Sequence, residues 1–296
     1  MSPAAPVITD VVTALLAGPP LALLGLSFGL GHRFGRGADL WPGVVAPLAA
    51  VAGVALATRI GLVPAGVVTV AAAAGVVALG GRVADRTVTT GGSARDGRGG
   101  VPVAVLAAVA VVAATVAARG DGPVPAAPGQ VVVVAGRDVA GKGTIGAAVV
   151  AFVALIAIGV FVTVPRVRLR LDAAARMPHL LVRVGVDPTG VTARLRAATA
   201  GVAALSGLLL TRSAEVAPGD AVGLTVVGAE VALLGRAGSV PGALVAATAL
   251  SLWRMAGEAV RPGWGALAGH VVVAFVVVLR HGRASTPSMA LTETVP

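Results

Sequence analysis

Long uncharged apolar runs, broken by short arginine-rich stretches, constrain this 296-residue chain more than any other feature. Val11 to Leu30 carries no charge over about 20 residues, and a helix of that length covers about 30 Å, the thickness of the bilayer hydrocarbon. Gly61 to Gly81, Val101 to Ala118 and Gly143 to Val164 repeat the pattern. A chain built this way is expected to be an all-α, polytopic bundle of transmembrane helices.

Composition agrees. Hydrophobic residues are 56%, and the 41 glycines bring the apolar share to about 70%, against roughly 45–50% in soluble domains. Charged residues are only 12% and lie between the apolar runs, so the net charge of +10 belongs to loops and anionic headgroups rather than to a nucleic-acid surface. Aromatic residues at 3%, with no Tyr, leave few platforms on which bases could stack. The absence of Cys removes disulfides, thiol chemistry and cysteine metal sites. The first basic residue is Arg33, so the start of the chain lacks the basic region of a signal peptide and Val11 to Leu30 is expected to remain as a helix.

The spans are expected as follows. Pro19 and Pro20 should kink the first run. GHRFGRGADLWPG, Gly31 to Gly43, is a polar break, and Val44 to Thr58 with Pro47 is either a tilted span or re-entrant. Arg82 to Gly100 reads as a flexible cytoplasmic loop, Arg119 to Lys142 as an external one, and Arg166 to Arg196 as a second cytoplasmic loop. Leu195 to Thr211, Ala221 to Gly235, Val240 to Trp253 and Gly265 to Leu279 complete the set. That makes eight crossings with an internal amino terminus, or nine with an external one, all in a single domain covering residues 1–296.

The densest positive charge is RVRLRLDAAARMPHLLVR, with Arg166, Arg168, Arg170, Arg176 and Arg183, followed by Arg194 and Arg196. The positive-inside rule alone places it in the cytoplasm. A sharper reading makes it a docking loop for a cytoplasmic partner. It is long enough for a short helix parallel to the membrane, and Gly185 with Pro188 supplies a turn before the next span.

VVVVAGRDVAGKGT, Val131 to Thr144, resembles a phosphate-binding loop of the adenylate-kinase kind. Such a loop needs a parallel sheet and a helix whose amino terminus faces the phosphates. The segment that follows is apolar on every face and the motif falls on the external side, so nucleotide binding is not expected. Small-xxx-small pairs such as Gly25 with Gly29 and Gly265 with Gly269 permit close helix approach.

Glu230 and His270 sit inside apolar runs. A charge at the bilayer centre costs about 2.5–3.5 kcal/mol on insertion scales, so each should face protein or a water-filled cavity. A helix-packing hydrogen bond is the plainer expectation, with Arg236 or Arg254 as partner of Glu230; direct solute contact is the other. Arg254, Glu258 and Arg261 mark a membrane edge. The chain has no HExxH, no GxSxG and no carboxylate pair at catalytic spacing, and its four His are scattered. No catalytic residue, metal site or cofactor is expected.

VRVGVDPTGVTARLRAATAGVAALSGLLL, Val182 to Leu210, with Gly185, Asp187, Gly201 and Gly207, resembles the segment after the cytoplasmic loop in permeases of branched-chain amino-acid ABC transporters. LLGRAGSVPGALVA, Leu233 to Ala246, is similar to that family's GGxGSxPGA segment through Gly235, Gly238, Ser239, Pro241, Gly242 and Ala243, with Arg236 in place of the second glycine. RFGRGADLWPG resembles its NFAxG segment through Phe34, Gly37 and Gly43, with Arg33 for Asn and Gly35 for Ala. Order, spacing and length agree over nearly the whole chain, closer to the shorter of the two paired permeases.

The resemblance implies a half-channel in the plasma membrane that pairs with a second permease, identical or not. Two cytoplasmic ABC ATPases and an external solute-binding protein would complete the assembly, with lipid around it and no nucleic acid. Arg170, Arg176, Arg183, Gly185 and Asp187 would form the ATPase-coupling loop. Phe34, Gly37, Gly43, Glu230, Gly235, Gly238, Ser239, Pro241 and Gly242 would lie on the translocation path or at its helix breaks. Two other readings stand beside it: a structural or assembly membrane protein, and a permease of the same superfamily for urea, amides or sugars.

Overall fold

The computed structural model describes residues 4–35, 41–90, 131–134, 137–213, 216 and 220–284. In chain order the helices are α1 (Ala4–Phe34), α2 (Trp41–Ile60), α3 (Leu62–Thr90), α4 (Lys142–Thr163), α5 (Pro165–Arg176), α6 (Pro178–Arg183), α7 (Pro188–Leu210), α8 (Ala221–Leu234), α9 (Val240–Val260) and α10 (Gly265–Ala284). Strands β1 (Val131–Val134) and β2 (Arg137–Gly141) form an antiparallel hairpin ahead of α4. The chain is an α-helical membrane bundle. Among the described residues six helices are long and apolar enough to cross a bilayer, and Ala221–Leu234 and Gly265–Arg280 are shorter apolar helices.

Proline and glycine set the boundaries. Pro165, Pro178, Pro188 and Pro241 each stand in the first turn of a helix, where the missing N–H costs nothing. Pro165 also stops α4: Val164 before it is extended at φ −57°, ψ 120°, as the residue preceding a proline must be. By contrast α1 runs through Pro19 and Pro20, and α2 through Pro47.

Several boundaries differ from those expected. The stretch Val44 to Thr58 lies within a continuous 20-residue helix, long enough to span. The helix α3 continues to Thr90, so the first part of the segment expected as the loop Arg82 to Gly100 is helical; Arg and Thr are adequate helix formers once a helix is under way. The polar break after α1 narrows, because helix persists through Phe34 and resumes at Trp41. Arg194 and Arg196 fall inside α7, which starts at Pro188 rather than Leu195. The expected span Val101 to Ala118 lies outside the described residues.

One end of the bundle collects most of the basic residues. Arg280 near the end of α10 meets the last carbonyls of α8, and Arg33 near the end of α1 meets the α8–α9 turn. The neighbour of Gly159, late in α4, is Val240 at the start of α9. At the opposite end the Thr144 hydroxyl, starting α4, donates to the Arg212 carbonyl just after α7 (2.8 Å).

The helix α1 divides the core. Leu23, Leu26, Leu30 and Phe34 pack with Leu155, Val231, Ala247 and Leu250, while Leu24 and Phe28 on another face pack with Val45, Ala46, Ala49 and Ala200, Ala203 and Ala204. In lipid there is little hydrophobic gain from joining helices, so close van der Waals fit holds them together. Small residues supply that fit: a methyl at Gly207 would collide with the Ala46 carbonyl, and one at Gly25 with Val231. The Ser206 hydroxyl locks α7 to α1 by donating to the Pro20 carbonyl (2.7 Å).

Candidate functional site

The basic stretch after α4 folds as two short helices at the basic end. Buried Ala174 of α5 and Leu181 of α6 anchor them, and Arg166, Arg168, Arg170, Arg176 and Arg183 are exposed. Arg168 pairs with Asp172 one turn away (3.7 Å), an exposed pair worth at most about 1 kcal/mol. Gly185 ends α6 at φ 74°. The Val186 N–H reaches the Leu181 carbonyl (2.9 Å) and the Gly185 N–H the Val182 carbonyl (3.0 Å), the double bond of a Schellman ending that needs a left-handed residue.

Asp187 then opens α7. Its carboxylate accepts from the Thr189 N–H (2.9 Å), the Thr189 hydroxyl (2.7 Å) and the Gly190 N–H (2.9 Å). The Thr189 hydroxyl and then its backbone N–H hold the carboxyl below its ordinary range, with Gly190 and Arg194 adding to the effect. The turn expected from Gly185 and Pro188 is therefore built by Gly185 and Asp187, and it fixes where α6 sits relative to α7.

The second constellation is the α8–α9 turn. Gly235 and Gly242 face each other so closely that a methyl on either would strike the other's carbonyl. Ser239 caps α9 by accepting from the Gly242 N–H (3.3 Å), Pro241 sits in the first turn, and Gly238 has φ 79°. Arg236 has φ 61° and is the one non-glycine residue with positive φ among the described residues. The backbone keeps the left-handed conformation that glycine takes freely, with an arginine in it.

This turn meets the end of α1. A Cβ at Gly29 would lie 2.7 Å from the Gly238 nitrogen, and the Arg33 side chain rests against Gly238 while its guanidinium stacks 4.9 Å from the Phe34 ring centre. Two segments about 200 residues apart are thus in contact. Phe34 itself is buried in the core. Gly43 packs against Thr225 of α8, and Gly37 lies outside the described residues.

Glu230 and His270 bind each other. His270 Nδ1 contacts Glu230 Oε1 between α8 and α10, with the Glu230 side chain 8% exposed and that of His270 42%. Neither Arg236 nor Arg254 is the partner of Glu230. Arg236 points to the surface at the end of the bundle, and Arg254 lies along Gly269 on α9. Each was visible in the sequence as an isolated interruption of an apolar run, but nothing in the sequence pointed from one to the other. Glu230 Oε2 and Ser251 Oγ are buried with no hydrogen-bond partner.

The phosphate-loop lookalike is a hairpin. Arg137 to Gly141 are extended and paired with β1, so they do not form the loop whose N–H groups would converge on a phosphate. Thr144 is engaged with Arg212 instead.

Two polar anchors escaped the sequence reading. Arg280 donates through Nη1 to the Leu233 carbonyl (2.9 Å) and through Nη2 to the Leu234 carbonyl (3.0 Å), capping α8 from another helix. Glu258, expected only to mark an edge, accepts from the Gly263 N–H (2.8 Å) and Gly265 N–H (3.1 Å) and closes the α9–α10 turn. Arg280 ends an apolar run, which signals a helix end but not which helix it caps. Comparison with family models, curated proteins and solved structures finds no match to this chain.

Proposed function

We propose that this chain is the transmembrane permease subunit of an ABC importer for branched-chain amino acids or a related small polar solute, resident in the plasma membrane. In this reading it pairs with a second permease, takes solute from an external binding protein, and is driven by two cytoplasmic ATPases docked on α5 and α6. The observation that carries the reading is that platform: two short helices anchored by Ala174 and Leu181, with Arg170, Arg176 and Arg183 exposed. Its geometry is set on both sides, by Pro165 and by the Gly185–Asp187 turn. A rigid platform can transmit a push from a partner into α7, whereas a flexible loop would absorb it. Support also comes from the α8–α9 turn, where Arg236 keeps a glycine-like backbone at the position of the family glycine.

The direction of α1 favours nine crossings and an external amino terminus, since α1 ends at the basic end. Gly235 to Gly242 and the end of α1 would then line the inner mouth of the path.

The test is reconstitution with the partner subunits. Reversing Arg176 and Arg183 to Glu is expected to leave membrane insertion and solute delivery intact while solute-stimulated ATP hydrolysis falls at least tenfold, because desolvated arginine–carboxylate pairs with the ATPase become repulsive. Normal insertion with unchanged transport would reduce the platform to a topology signal.

A further inference from the structure

The end of the bundle that carries α5 and α6 holds a second set of arginines. Arg33 rests against Gly238, Arg236 is two residues earlier in the same turn, and Arg280 binds the Leu233 and Leu234 carbonyls that end α8. The three come from α1, the α8–α9 turn and α10, and all are exposed. Among the described residues no carboxylate forms an ion pair with Arg33, Arg236 or Arg280. Arg280 uses two of its five N–H donors on the negative end of the α8 dipole. Among the described residues the charges of Arg33 and Arg236 have no such counterpart.

Arg236 is held in a conformation that side chains other than glycine rarely adopt, and glycine would fit there without strain. Placing an arginine there adds a third guanidinium to this end of the bundle. Below them the surface turns apolar at once: Leu233 is 57% exposed, Val278 67% and Leu279 45%. Cations at the end of apolar helices, directly above exposed aliphatic side chains, match the two halves of a phospholipid.

We propose that Arg33, Arg236 and Arg280 bind the phosphate of an anionic phospholipid whose acyl chains lie along Leu233, Val278 and Leu279. The guanidiniums supply charge-assisted hydrogen bonds to the phosphate oxygens, and the bound lipid ties the ends of α1, α8 and α10 together. A freely dissolved phosphate would gain nothing from the aliphatic surface. The site requires only that the bundle be embedded in a membrane, so it stands or falls independently of the transport reading.

The full chain, purified in a neutral detergent, would be titrated with phosphatidylglycerol, phosphatidylcholine or inorganic phosphate while bound lipid is counted by native mass spectrometry and the unfolding midpoint is followed. Phosphatidylglycerol is expected to bind and raise the midpoint, phosphatidylcholine and phosphate to do neither. Juxtamembrane arginines contribute roughly fivefold each to anionic-lipid binding, so R33Q/R236G should weaken it roughly 25-fold, and R59Q at the opposite end should leave it unchanged. Should the double variant fail to fold, R236G alone, which relieves the left-handed arginine, is expected to fold and to lose about fivefold. Equal binding of phosphatidylcholine, full retention in R236G, or the same midpoint shift from phosphate alone would each overturn the proposal; the last would make it a soluble-anion site.

Discussion

Helices α4 and α7 have nearly the same length and opposite environments. The first, KGTIGAAVVAFVALIAIGVFVT, is the more apolar, yet only 22% of its membrane-spanning stretch is buried; the second, PTGVTARLRAATAGVAALSGLLL, is less apolar and 56% of its stretch is buried. Val149, Phe152, Val153, Ile156, Val160 and Phe161 of α4 face outward, whereas Ala200, Gly201, Ala203, Ala204 and Gly207 of α7 are inside. In water the more hydrophobic helix would be the buried one. In lipid the bulky apolar helix is satisfied by its solvent, and the centre goes to the helix whose small residues let backbones approach.

The same substitution in each helix would break this comparison if it is wrong. Gly207→Ala puts a methyl into the Ala46 carbonyl and should lower stability by about 3 kcal/mol or more, with loss of folded protein in detergent extracts. In α4, Gly146 has nothing near its would-be Cβ, so Gly146→Ala should be neutral or stabilise by about 0.5–1 kcal/mol through helix propensity. Equal unfolding midpoints for the two variants would show that the tight α2–α7 crossing is not what holds the centre.

Polar contacts sharpen the comparison at the next level. His270→Leu leaves the Glu230 carboxylate buried without its partner and should cost about 2 kcal/mol, discounted from a fully buried pair because His270 is partly exposed. Replacing both residues by Leu should recover most of that loss. A double variant as unstable as the single one would mean that the pair does more than satisfy itself.

At the α8–α9 turn the change should be smaller and favourable. Arg236→Gly relieves the left-handed backbone and should raise the unfolding midpoint in lipid-free detergent, by about 1 kcal/mol. A fall there would mean that the side chain contributes contacts worth more than the strain.

The smallest effect concerns Asp187 and pH. Its carboxyl is held below the ordinary value of 3.8, so its cap is fully present above that value and is lost as pH falls through the lowered folded value. The difference in midpoint between the native chain and Asp187→Asn should be constant near neutrality and shrink below about pH 4. A difference that persists to the lowest pH would assign the effect to shape rather than to ionisation.

Much of the candidate site was legible because its signals are local. Gly185, Pro188, Ser239, Pro241 and Gly242 punctuate helices by their own backbone preferences, and the two short helices lie where the arginine-rich stretch allowed one. The helical extension of α3 to Thr90 was hidden by Gly, Ser and Thr in the stretch beyond Gly81, a composition that suits loop and helix end equally. The cap that Arg280 places on α8 could not be read, because its partners are main-chain carbonyls and leave no mark in the side-chain sequence.

From its sequence alone the chain is a membrane protein with helices of known approximate extent, because the run length of apolar residues and the cost of charge in hydrocarbon act residue by residue. Which helices occupy the centre, that Glu230 finds His270, and that Arg33 meets the turn holding Arg236 were decided only in the folded molecule. The physical reason is that lipid does not distinguish an apolar face that packs on protein from one that does not. That choice depends on shape complementarity between helices far apart in the chain, which exists only once they are side by side.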